Sequence, residues 1–257
     1  MALFQSGNPT LSQKIFDKSR TLEGQMNGTM TVRGTINKFG FLLFMVIAGA
    51  AYTWNLYYTA QPATMMTFFW VGLIGGLVAA LVISFKPNLA KYLAPAYAIL
   101  EGLVIGGLSA IVNDAVSQKY PGIIMQAVGL TFGVAIVVFL LYNFRIIRPT
   151  QKFKAVIITA SVGILFFYLI WMVLSLFGVN VSFMSWNDSS MLGIGINLFV
   201  AVIAALSLIL DFERIEVGAD MGAPKQMEWY GAFGLLVTMI WLYIQILKLL
   251  SRFASRR

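Results

Sequence analysis

The chain has no cysteine and no histidine in 257 residues. Without cysteine there is no disulfide, no thiolate nucleophile and no sulfur-ligated metal. Without histidine the commonest metal ligand is missing, along with the side chain that ordinarily titrates near neutral pH, so a proton switch here must use carboxylates. Haem held through histidine and serine chemistry that needs a histidine base are excluded with it. Charge is scarce as well: 11% of residues are charged, against about 25% in soluble domains. That leaves no room for a sizeable soluble domain. There is no phosphate-binding glycine loop. The N-terminal tail is polar and mixed, without the apolar core of a signal peptide, so the first apolar span is expected to do its own targeting.

What the chain has in abundance is apolar residues, 59% of the total. They gather into seven stretches: Phe39–Tyr58, Met65–Phe85, Pro95–Val112, Gly122–Tyr142, Ala155–Phe177, Met191–Asp211 and Tyr230–Leu250. A helix crossing the ~30 Å hydrocarbon core of a bilayer needs about 20 mostly apolar residues, and lipid offers no partner to bare backbone groups. The pattern predicts an all-α membrane protein with seven transmembrane helices: a tail over residues 1–38, a transmembrane domain over 39–250 and a basic C-terminal tail over 251–257.

The net charge of +8 follows the connections between spans. Lys14, Lys18, Arg20, Arg33 and Lys38 lie in the tail, and Arg145, Arg148, Lys152 and Lys154 between spans four and five; the one-two and five-six connections carry no base. This alternation is the positive-inside rule with a cytoplasmic N-terminus, and nucleic acid is not an expected partner. Lys248, Arg252, Arg256 and Arg257 conflict with it. Seven crossings would put them outside, so either the rule fails at the last helix or the last segment does not fully cross.

Small residues four apart let membrane helices approach closely. Gly72 and Gly76, Gly102 and Gly106, and Gly129 and Gly133 are expected to pack in this way on spans two, three and four. On span six, Asn197, Ala201, Ala204, Leu208 and Asp211 fall along one stripe, because steps of three and four return to the same helix face. It reads as a surface turned toward other helices, with a polar residue at each end. Pro95 is expected at the very start of span three, where it costs no hydrogen bond. Phe68, Phe69, Trp70, Phe166, Phe167 and Trp171 are expected to face lipid or fill the bundle. No internal repeat is evident.

Most of the ten acids lie outside the spans. Glu101 does not: it sits about six residues into span three, roughly 10 Å deep at 1.5 Å per residue. An ionisable group at such depth faces a partner, a water cavity or an ion path. Asp211 ends span six and reaches the same membrane face, with Arg214 three residues on as a local partner. Glu213, Glu216, Asp220 and Glu228 add acid nearby. Carboxylates at a pore mouth attract cations, and calcium prefers oxygen ligands. Glu101, Asp211, Glu228, Asn197 and Glu213 are therefore the candidate ion-path and gating residues. No catalytic residue, resident metal or cofactor is expected: a retinal Schiff base wants a lysine midway along the last helix, and a two-aspartate protease wants two aspartates within spans.

At several places the chain resembles the Bax inhibitor-1 family, in the bacterial branch with a longer N-terminal tail. The matching stretches are Met30–Lys38, Ala50–Trp54, Pro95–Gly102, Leu210–Glu216 and Gly222–Tyr230. The resemblance implies a last helix surrounded by the other six, a bacterial inner-membrane location and a pH-sensitive calcium leak gated by an aspartate at the end of helix six paired with one in helix seven. Asp211 matches the first position. The second falls on Trp241, with Gln245 one turn further, and neither is an acid. Glu101 or Glu228 would have to substitute. A rival reading is a non-transporting regulator acting through a membrane-bound protease, and a weaker one a proton-coupled carrier.

Overall fold

The computed structural model describes residues 28–59, 62–178, 186 and 188–256. Seven helices are long and apolar enough to cross a membrane: α1 Val32–Thr59, α2 Pro62–Phe85, α3 Ala90–Val116, α4 Ile123–Asn143, α5 Gln151–Leu176, α6 Met191–Asp220 and α7 Met227–Arg256. Among the described residues the only extended pairing is a single antiparallel bridge, Thr29 with Pro224. This is a multi-pass, all-α membrane protein.

Three helices begin or end outside the apolar runs, each for a local reason. α1 starts at Val32 rather than Phe39 because Thr31 caps it, its hydroxyl accepting from Gly34 N–H at 3.0 Å; such a cap satisfies one of the bare amides at a helix start. α3 starts at Ala90, fed by a 3-10 turn over Pro87–Leu89, which places Pro95 inside the helix. The expectation of a cost-free proline is thereby corrected: an interior proline removes the i→i−4 hydrogen bond, here the one to the Lys91 carbonyl. α7 runs on to Arg256, so residues 251–256 continue the helix instead of forming a tail.

The chain divides into two compact units, Met1–Ile111 with Asp211–Val237, and Val112–Leu210 with Thr238–Arg257. In the first unit α3 lies against both α1 and α2 at glycines. A Cβ on Gly102 would meet the Val46 carbonyl, and one on Gly106 the Ala50 carbonyl and Thr53 hydroxyl. A Cβ on Gly49 would sit 2.6 Å from the Ile99 carbonyl, and one on Gly72 2.5 Å from that of Leu100. Backbone fills these places, so the glycines are required.

In the second unit the expected packing role of Gly129 and Gly133 is not met: nothing described lies within 4 Å of a Cβ built on either. What holds that unit is an apolar cluster of Ile157, Ile203 and Leu210, with Phe153, Ile164, Leu206 and Trp241 packed against it. The α6 stripe is inward throughout: Asn197, Ala201, Ala204, Leu208 and Asp211 are all buried. The third and last helices are equally inward, 61% of each apolar window being buried, against 11% for α5. Trp70, Phe166 and Phe167 are exposed, as on a lipid-facing surface.

Candidate functional site

The three acids singled out within or beside the spans all fall in the first unit, and each is held differently. Asp211 is buried near the cytoplasm-facing end expected of α6. Its Oδ1 accepts from Arg214 Nη1 at 3.4 Å, one helical turn on. Together they line a recess with Met30, Ile215, Met227, Gly231 and Gly234. A half-buried ion pair of this kind depends on both partners: neutralising one leaves the other in a setting that dissolves charge poorly.

Glu101 is half-buried on α3. Its Oε2 lies 3.2 Å from where a Cβ on Gly76 would sit, so the small residue on α2 makes room for the carboxylate. Its neighbour one turn back is Tyr97, whose ring meets Phe233 edge-on at 4.9 Å. Glu101 is thus turned toward α2. Glu213 is half-buried two residues beyond Asp211.

Glu228 is fully buried in the first turn of α7 and is spoken for on all sides. It accepts from Thr31 N–H at 3.0 Å and from the Thr31 hydroxyl at 2.9 Å. Lys38 forms an ion pair with its other oxygen, and Lys225 Nζ lies 3.3 Å away. The carboxylate sits at the N-termini of both α1 and α7, where helix dipoles favour negative charge. A side chain on Gly34 would collide with it. Around this clasp, Met30 N–H donates to the Ala223 carbonyl at 2.7 Å and Lys225 N–H to that of Gly28 at 3.1 Å. The Lys38 ammonium also stands 5.4 Å over the Trp229 ring. Glu228 therefore ties the chain entering α1 to the start of α7. It does not stand at an open mouth.

The second unit contains no counterpart acid among its described interior residues. Trp241, matched to the second acid position, packs in the apolar cluster. Gln245 is buried; Asn197 Nδ2 donates to its backbone carbonyl at 3.0 Å and reaches its side-chain oxygen at 3.4 Å. One turn on, the C-terminal bases lie inside the protein. Arg252 is 1% exposed and donates to the Gly193 carbonyl, and Lys248 is buried with its ammonium 5.7 Å over the Trp186 ring. Asp188, the only acid from Gly178 to Met191, is its electrostatic partner. At 30 residues, roughly 45 Å at ~1.5 Å per residue, α7 is long enough to cross. Lys248 and Arg252 are buried groups and not a free basic flank, which removes their conflict with the positive-inside count.

A family model described as Bax inhibitor 1 like matches residues 8–255. The chain belongs to that family. No curated protein and no solved structure matches it. As a Bax inhibitor 1 like protein it keeps the acid at the end of helix six but replaces its helix-seven partner by an aromatic, and no group of three or more acids that could hold a metal ion occurs among the described residues.

Sequence reasoning passed over Gly49, although its four-residue spacing to Thr53 is the same small-residue signal as that of Gly102 and Gly106. It also passed over Thr31 and Lys38 as partners of Glu228, for which no local signal exists: they lie 197 and 190 residues away.

Proposed function

We propose that this Bax inhibitor 1 like protein is a pH-sensitive cation leak of the bacterial inner membrane, with calcium as the transported ion and a single-carboxylate gate. The observation that carries the reading is Asp211: a buried acid at the end of α6, lining a recess and held to Arg214 at 3.4 Å. With Trp241 in the helix-seven position, the gate cannot be a carboxylate pair; the working pair is acid and base. Protonation of Asp211 removes its charge, frees the Arg214 guanidinium and loosens the end of α6. Glu101 is the second acid of the path, placed where α3 meets α2. The N-terminus is cytoplasmic and the C-terminus lies on the other side, in keeping with the tail and the four-five connection being the most basic segments.

Calcium flux into liposomes holding purified protein, scanned from acid to neutral pH, tests this. The expected result is a leak that grows on acidification in the wild type and is insensitive to pH in Asp211→Asn. A pH-sensitive leak surviving in Asp211→Asn contradicts the gate, and protein-free flux in every variant contradicts transport.

A second reading is favoured by the Glu228 clasp. A non-transporting regulator acting through a membrane-bound protease would need its tail held in a fixed place against the helices, which the contacts of Thr31 and Lys38 with Glu228 accomplish.

A further inference from the structure

We infer that the chain entering α1 is a built-in plug on the Asp211 recess, with Met30 as the stopper and Glu228 as the clasp that holds it. The inference deepens the leak reading by naming what regulates that recess, and it rests on that reading only for its effect on flux.

Met30 is 3% exposed and lines the recess beside Asp211 and Arg214. Its Cε lies 3.4 Å from where a Cβ on Gly231 would sit, with Thr35 Cγ2 at 3.1 Å and Ile215 Cγ1 at 3.3 Å from the same point. Three side chains from three segments thus converge on one glycine of α7, and the absent side chain is what admits the methionine. The thioether is flexible and apolar, suited to filling an irregular gap. Met30 is not part of any helix. It is held from the backbone side by the Ala223 carbonyl, by the Thr29–Pro224 bridge and by the Glu228 contacts to its neighbour Thr31.

These attachments form one short, breakable unit. The bridge is a single pair and the backbone hydrogen bonds near it are few, while the ion pair with Lys38 concentrates the remaining attachment on one carboxylate. Withdrawing residues 28–31 removes the stopper from the Asp211 wall without unwinding a helix. The tail that precedes Gly28 is the handle by which such a withdrawal would be made.

The absence of native cysteine makes the test clean. Ile215→Cys places one thiol on the recess wall, and its rate of reaction with a water-soluble maleimide reports whether the recess is stopped. Met30→Ala and Glu228→Gln, each made in that background, are expected to speed labelling at least tenfold, while a control cysteine at exposed Lys119 is labelled at an unchanged rate. Met30→Ala keeps the clasp intact, so it decides the matter even if Glu228→Gln fails to fold. Unchanged labelling of Ile215→Cys in Met30→Ala overturns the plug. Separately, Thr29→Cys with Pro224→Cys locks the bridge on oxidation. Calcium flux at acid pH is expected to fall at least fivefold when oxidised and to return on reduction; equal flux in the two states, with flux present, overturns it. If labelling behaves as expected while no variant passes calcium, the plug stands and the leak reading fails.

Discussion

The two compact units are built on opposite electrostatic plans. In the first, Glu101, Asp211 and Glu228 are drawn inward, and two of the three are matched by bases from nearby helix ends. Its helices close on one another through glycines whose missing side chains are replaced by neighbouring carbonyls. In the second, the buried charges are Lys248 and Arg252, a tryptophan occupies the position of an expected acid, and the glycines of α4 face open space. The last helix belongs to both, starting on a buried acid and ending on buried bases. That is the order its dipole favours. The difference teaches that carboxylate chemistry is confined to one unit, while the other is neutral to basic inside.

The sharpest way to break that contrast is to carry an acid across. Trp241→Asp removes a large ring from the Ile157, Ile203 and Leu210 cluster and leaves a carboxylate among apolar groups. Truncating a core aromatic alone costs ~3–5 kcal/mol, and the unpaired charge adds to it. The expected outcome is the largest loss of thermal stability in detergent of any single change considered, with no gain of calcium flux. A stable Trp241→Asp protein with enhanced flux would mean that the second unit does accept a gate acid.

Next in size is Glu228→Ala. It strands Lys38 beside Thr31, and removing one partner of a buried pair costs about 3–5 kcal/mol. Lys225→Ala, whose ammonium is half exposed on the same carboxylate, is expected to cost under ~1 kcal/mol. Denaturation of the two variants in one detergent checks the order, and equal losses would contradict the picture of a clasp closed chiefly by Lys38 and Thr31.

The smallest effects sharpen the packing side of the comparison. Gly106→Ala drives a Cβ into the Ala50 carbonyl and is expected to cost ~1–3 kcal/mol by overpacking. Gly129→Ala meets nothing and is expected to be neutral or stabilising by up to about 1 kcal/mol, the helix-propensity gain of alanine over glycine. Melting temperatures moving together would contradict the assignment of close packing to one unit.

Much of this architecture is legible in the sequence because it is periodic. Seven apolar runs of bilayer length give seven helices, and the spacing from Asn197 to Asp211 gives a face that is buried along its whole length. The Asp211–Arg214 pair is legible because its members are three residues apart. Spacing alone, however, does not say whether a neighbour is present, which is why Gly102 and Gly106 pack closely and Gly129 and Gly133 do not. Nor can it reveal a partner far along the chain, as for Glu228. Counting charges by connection treats every base as solvated; Lys248 and Arg252 are not, because α7 runs beyond its apolar stretch and carries them inside.

The central claim, that Asp211 and Arg214 act as one gate, is tested most directly by a double-mutant cycle on calcium flux in liposomes. Asp211→Asn, Arg214→Gln and the double variant are compared with the wild type at neutral pH. If the pair is the gate, each single change raises flux, and the double variant leaks no more than the leakier single one, since the interaction can be broken only once. Additive effects, or single variants that leak like the wild type, would contradict it.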